Sequence, residues 1–202
     1  MNIPNALSFI RIIIAFVAPF FLINGNKTIS IIAGVLCTIA IATDFFDGWY
    51  ARKYNEITTL GKILDPIADK ALVLISFSVL VYLGTLSIWW VIPIFIREIA
   101  VTVYRFIFLS KNIVVAAAKS GKVKTVMQML TLGITYFYFM TKKFYKGDLK
   151  LNFGAEGSEM FLNVFEVVLI MALSYTVYLT IQSGYLFFKS NWQTIKRFHQ
   201  TA

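Results

Sequence analysis

Long apolar runs alternate with short polar breaks along the whole of this chain. Roughly, the runs cover 6–23, 29–49, 64–83, 88–109, 124–141 and 160–186, each near the length of about 20 residues that a helix needs to cross a hydrocarbon layer. The pattern predicts an all-α fold: a polytopic membrane helical bundle of about six transmembrane helices, in a single domain over 1–202 without internal repeat. The first run lacks the charged lead and small-residue cleavage site of a secretory signal, so it reads as a retained element. Before it, Asn2-Ile3-Pro4-Asn5 has the makings of a helix start, with Asn2 or Asn5 as cap and Pro4 in the first turn. Ile3 to Ile10 is therefore expected to lie as an N-terminal interfacial helix before the chain turns inward.

Composition strengthens the membrane reading. Of the 202 residues 58% are hydrophobic and 14% charged, and the mean hydropathy of +0.74 lies outside the ordinary soluble range. The polar breaks also carry an orientation signal. Arg52, Lys53, Lys62, Lys111, Lys119, Lys122, Lys124, Lys189, Lys196 and Arg197 fall on one side, against Lys27, Lys142, Lys143, Lys146 and Lys150 on the other. The richer side is expected to face the cytosol, which puts both termini there and the chain in the cell membrane. The long polar connection from Lys142 to Glu159, with glycines at 147, 154 and 157, reads as an outward loop.

A net charge of +9 raises the question of nucleic acid, but the cations are scattered over short loops and two helices. An anionic lipid surface is the simpler partner, and no nucleic acid is expected. Cys37 and His199 each stand alone, so one chain offers neither a disulfide nor a Cys/His zinc site. Trp89 and Trp90 fit an interfacial belt, and the nineteen phenylalanines and ten tyrosines mostly continue apolar runs.

Five of the ten acidic residues fall between 44 and 69, and four of them, the aspartates 44, 47, 65 and 69, stand where apolar runs end and begin. Ionisable groups beside hydrocarbon are costly and usually functional. Asp44 and Asp47 are three apart at the end of the second run, with Ala51 on the same stripe. Asp65 and Asp69 are four apart at the start of the third, with Gly61 one turn earlier. The short connection lets both pairs face each other at similar depth. Carboxylates so placed repel unless a cation lies among them. An all-oxygen donor set selects Mg²⁺ or Mn²⁺ over Zn²⁺, as one ion or a pair. Such ions complete their shells with phosphate oxygens, so the expected substrate carries a diphosphate. Gly48, Ala51 and Gly61 leave room for a base or phosphate against the backbone, although small residues also serve simply to pack membrane helices. Arg52 can grip a phosphate bidentately. Pro66 is expected within a first turn, which would put Asp65 near the positive helix start.

Read together, these positions spell D-x-x-D-G-x-x-A-R-x8-G-x3-D-x3-D. The pattern resembles the signature of the CDP-alcohol phosphatidyltransferases, with every fixed residue present, and the predicted topology extends the resemblance over essentially the whole chain. The resemblance implies transfer of a phosphatidyl group from CDP-diacylglycerol to an alcohol, with release of CMP. It makes Asp44, Asp47 and Asp65 metal ligands, and Asp69 the base for the acceptor hydroxyl and a further metal contact. Gly48, Ala51, Arg52 and Gly61 would line the cytidine diphosphate site. It also implies a homodimer. No Ser, Cys or His nucleophile stands in the window, so direct attack is the economical route, with a carboxylate nucleophile left open.

Further stretches are similar to the branch of that family whose acceptor is glycerol 3-phosphate: Ile3-Pro4-Asn5, Gly61 to Lys70, Arg97-Glu98 to Thr102 with Arg105, and Gly121 to Met129. That acceptor needs cations of its own. Glu98 and Arg105, seven apart, allow a structural pair; alternatively Arg97 or Arg105 joins Lys122 and Lys124 around the acceptor phosphate. For Lys111, Lys119, Lys189 and Lys196 topology and lipid headgroups are reason enough. Two other readings stand beside this one: the same chemistry with phosphatidylglycerol, inositol phosphate or serine as acceptor, and a divalent-cation transporter using the aspartates as its path. The transporter reading lacks a second half echoing the first.

Overall fold

The computed structural model describes residues 3–24, 26, 28–40, 59–110, 120–145 and 154–201. Among them there are seven helices and no strand: α1 (Ile3–Asn24), α2 (Thr28–Ala40), α3 (Thr59–Tyr82), α4 (Ile88–Ser110), α5 (Ser120–Tyr145), α6 (Gly154–Ser190) and α7 (Trp192–Thr201). The six apolar runs each yield a helix. The differences lie at the ends. α1 runs unbroken from Ile3 to Asn24 instead of turning near Ile10, because the apolar pattern carries no breaker across that point. α5 and α6 extend to Tyr145 and from Gly154, so Lys142, Lys143, Gly154 and Gly157 are helical, not loop. α3 begins at Thr59, which makes Pro66 its eighth residue and leaves the Lys62 carbonyl without a helical N–H partner. Asp65 therefore sits in the second turn, past the reach of the helix start.

One helical segment among the described residues, Glu159–Ser190, is long and apolar enough to cross a membrane. Ile13–Ile23, Thr28–Ala40 and Lys70–Tyr82 are apolar but shorter. The charges within α4 and the threonines, glutamine and lysines of α5 lower their apolar character, and several of those residues turn out to be buried together.

Two compact units are formed, Met1–Ser87 with Met129–Ile170, and Ile88–Gln128 with Met171–Ala202; α5 and α6 each contribute one part to either. In the first unit α1 packs on α3. Asn26 caps α2, its side chain accepting from the Ile29 N–H at 3.0 Å, and Ser30 donates to the carbonyls of Phe21 and Leu22, tying α2 to the end of α1. Leu22, Cys37, Leu72, Phe77, Leu80, Leu132 and Tyr136 are almost fully buried there. Gly84, at φ +67°, ends α3: its N–H reaches the Val81 carbonyl and the Thr85 N–H the Leu80 carbonyl, with Leu86 buried beside them. Only glycine adopts that backbone without strain.

Large apolar side chains lie on the outside as well as in the core, and a set of polar ones is buried. Phe16, Phe20, Ile32, Ile96, Phe106, Val164, Val167 and Met171 are exposed, whereas Ser76, Glu98, Lys124, Gln128, Thr131, Thr135, Thr176, Thr180 and Ser183 are buried. Hydroxyls in these helices donate to the carbonyl four residues back, as Thr135 does to Thr131 (2.7 Å) and Thr180 to Thr176 (2.7 Å). An interior hydroxyl thus finds a partner without water.

Candidate active site

Of the eight signature residues, Asp44, Asp47, Gly48, Ala51 and Arg52 lie outside the described residues. Gly61, Asp65 and Asp69 belong to α3, where a spacing of four puts them along one stripe of the helix. Lys70, which follows them, is half-buried.

A second group of polar residues is assembled entirely within the unit formed by Ile88–Gln128 and Met171–Ala202. α4 supplies Arg97 and Glu98, the start of α5 supplies Lys124 and Gln128, and α6 supplies Thr176, Thr180 and Ser183. Arg97 Nη1 donates to Glu98 Oε1 at 3.2 Å, and Arg97 Nη2 to Ser183 Oγ at 2.6 Å. Lys124 Nζ donates to the same carboxylate oxygen of Glu98. Gln128 donates to Thr180 Oγ1 at 3.4 Å, and Thr176 Oγ1 to the Met127 carbonyl at 3.4 Å. The charged side chains are well shielded, with 13% of Arg97, 7% of Glu98 and 3% of Lys124 exposed.

Two cations here converge on one carboxylate, leaving the trio with one positive charge in excess. Arg97 Nε is buried and, among the described residues, has no hydrogen-bond partner. A buried donor left unmatched costs about 1–3 kcal/mol, so Arg97 Nε is a donor disposed to meet an acceptor. Two glycines lie beside Arg97, one at its stem and one at its guanidinium. A Cβ at Gly184 would come 3.2 Å from Arg97 Cγ, and one at Gly121 would stand 3.9 Å from Nη2.

The four cations expected at an acceptor phosphate therefore divide. Arg97 and Lys124 meet at Glu98. Arg105 is exposed and lies over the ring of buried Phe187, its Cζ 5.6 Å from the centroid, and Lys122 is exposed. The pairing allowed for Glu98 and Arg105 is replaced by that of Glu98 with Arg97 and Lys124: the rings of α6 give Arg105 a different seat, while Lys124 reaches Glu98 from α5. Sequence reasoning passed over Ser183, Gly184 and Thr180. Their signal was present as Thr176, Thr180, Ser183 and Phe187, spaced by four, three and four along an otherwise apolar helix. Among the described residues, no three His, Cys, Asp or Glu gather as a metal site.

Residues 1–180 match the CDP-alcohol phosphatidyltransferase family, and the chain belongs to it. The match takes in the whole aspartate signature together with Arg97, Glu98, Lys124 and Gln128, and stops short of Ser183, Gly184 and α7. Among its relatives, the chain is 34% identical to the CDP-diacylglycerol–glycerol-3-phosphate 3-phosphatidyltransferase of Bacillus subtilis, over 96% of this chain and 97% of that protein. It is 33% identical to the enzyme of the same name from Rickettsia felis, over 94% of each. It is also 34% identical to a probable phosphatidylglycerophosphate synthase of Mycobacterium tuberculosis, over 66% of this chain and 65% of that one.

Proposed function

We propose that this protein transfers the phosphatidyl group of CDP-diacylglycerol to glycerol 3-phosphate, giving phosphatidylglycerophosphate and CMP. The observation that carries the reading is end-to-end similarity to relatives named for that reaction. The buried, net-positive trio of Arg97, Glu98 and Lys124 supports the acceptor, which brings a phosphate of its own. Arg97 holds an uncommitted N–H for it, and Arg105 and Lys122 add cationic charge on the same two helices.

Asp44, Asp47, Asp65 and Asp69 form an all-oxygen donor set, which fits one or two Mg²⁺ or Mn²⁺ ions. When bound, such an ion offsets negative charge on the diphosphate. Gly48, Ala51, Arg52 and Gly61 hold the cytidine diphosphate. Asp69 takes the proton of the acceptor hydroxyl. That oxygen forms a bond to the phosphorus bearing diacylglycerol, the diphosphate P–O bond breaks, and CMP leaves with the electron pair.

Apolar residues turned outward and polar ones turned inward support a multi-pass bundle of about six spans in the cell membrane. Its signature side faces the cytosol, and the enzyme works as a homodimer. The test is CMP release by purified protein with CDP-diacylglycerol and Mg²⁺, offering glycerol 3-phosphate, phosphatidylglycerol, inositol phosphate and serine separately. Release with glycerol 3-phosphate alone, lost on chelation and restored by Mg²⁺ or Mn²⁺, is expected. Release only with another acceptor would overturn the acceptor assignment.

A further inference from the structure

After Glu166 the chain contains no Asp or Glu, while Lys189, Lys196, Arg197 and His199 lie close together near its end. They flank a sharply built junction. The Phe187 carbonyl accepts from the Asn191 side chain at 2.8 Å, from Ser190 Oγ at 3.1 Å and from the Asn191 N–H at 3.2 Å. Asn191 then starts α7 by accepting from the Ile195 N–H at 2.9 Å. Asn191 and Ile195 are both 6% exposed. α7 is therefore fixed to the end of α6 by buried contacts, and its placement is not that of a trailing tail.

At helical spacing Trp192 stands about 60° from Ile195 and about 40° from Lys196, on the border between the apolar and the polar side of the helix. Ile195 is buried against the protein, while Trp192, at 62% exposed, and Lys196 face outward. Lys189, one residue before the last of α6, is exposed over the ring of Tyr185. α7 thus begins two residues beyond the one described segment long and apolar enough to cross a membrane. An exposed tryptophan followed by cations at that level is the composition of a helix lying in the headgroup layer.

We infer that α7, with Lys189, is a surface that binds anionic phospholipid headgroups and gathers them beside the protein. Charge complementarity selects this occupant: the segment is cationic without a compensating acid, and its aromatic residue suits the interface. The inference rests on the membrane placement given above. It adds a role for residues that lie beyond the family match, and under the proposed reaction the lipid substrate is itself anionic.

The test uses full-length protein in phosphatidylcholine nanodiscs, with Trp49, Trp89 and Trp90 replaced by Phe so that Trp192 alone fluoresces. Phosphatidylglycerol or phosphatidylcholine brominated high in the acyl chain is added at equal mole fraction. Stronger quenching of Trp192 by the anionic lipid is expected, weakened by salt. It should fall about fivefold in relative lipid association for each charge removed in Lys196→Gln and Arg197→Gln. Circular dichroism checks that the variants keep their helices, and Lys196→Arg should retain the preference. Equal quenching by the two lipids, or none by either, would overturn the inference. CMP release in the same samples is read separately, so failure of the proposed reaction leaves the quenching result interpretable.

Discussion

Replacing Lys124 by methionine tests the buried trio most directly. Methionine keeps the length and apolar stem of lysine but removes the charge that meets Glu98. With 3% of Lys124 and 7% of Glu98 exposed, water cannot take over the lost role. Removing one partner of a buried pair costs about 3–5 kcal/mol, and because Arg97 still holds Glu98 at 3.2 Å the lower end, about 3 kcal/mol, is expected. For a chain of this size that corresponds to a fall in Tm of about 6–12 °C. If Lys124 also holds the acceptor phosphate, losing a charge-assisted bond of about 1.5–3 kcal/mol raises KM for glycerol 3-phosphate about 10- to 150-fold. The double variant Glu98→Gln with Lys124→Met separates these effects. Arg97 then loses its carboxylate partner as well, so Tm should fall no less than in Lys124→Met while KM stays high and changes no further. The assays are thermal unfolding in detergent and CMP release against acceptor concentration. A Tm within 2 °C of wild type for Lys124→Met would refute the energetic reasoning, and a KM restored in the double variant would refute the acceptor role.

Three further outcomes are expected. Gly184→Ala puts a Cβ 3.2 Å from Arg97 Cγ, so the stem of Arg97 must shift by a few tenths of an ångström and carry the guanidinium with it; KM for the acceptor should rise several-fold with Tm unchanged or higher, since alanine favours the helix by about 1 kcal/mol. Gly84→Ala places a side chain at φ +67° and should lower stability by about 1 kcal/mol without altering KM, read by thermal unfolding and steady-state kinetics. Asp69→Asn should abolish CMP release while CDP-diacylglycerol still binds, measured by equilibrium binding of labelled lipid; full activity would remove Asp69 from the role of base.

The helices were legible because long apolar runs leave few alternatives to a helix, and all six runs yield one. Their ends were less legible. Apolar periodicity does not register the residues that extend a helix past its apolar stretch, as at Thr59, Ser120 and Gly154. α7 was missed because ten residues with three cationic or titratable side chains fall below any test for a span, although their division into two sides is plain once the helix is known. The aspartate signature was legible as a pattern of residue types and spacing, and the family match takes it in, while five of its eight residues lie outside the described residues. The setting of Arg97 was not legible. Its neighbours Ser183, Gly184 and Gly121 lie 86, 87 and 24 positions away, and small or hydroxylated residues in apolar helices usually signify packing.

Gly121 and Gly184 have a consequence for how this protein can vary. Glycine is the smallest residue, so no replacement at either position adds space beside Arg97; at Gly184 even a methyl group crowds its stem, whereas at Gly121 it makes ordinary contact. Mutational drift beside Arg97 is thus one-directional: it can crowd the side chain and never relieve it. If the acceptor lies against this trio as proposed, a variant taking a bulkier acceptor would gain room by change at Arg97, Ser183 or Lys124, where side chains remain to be shortened.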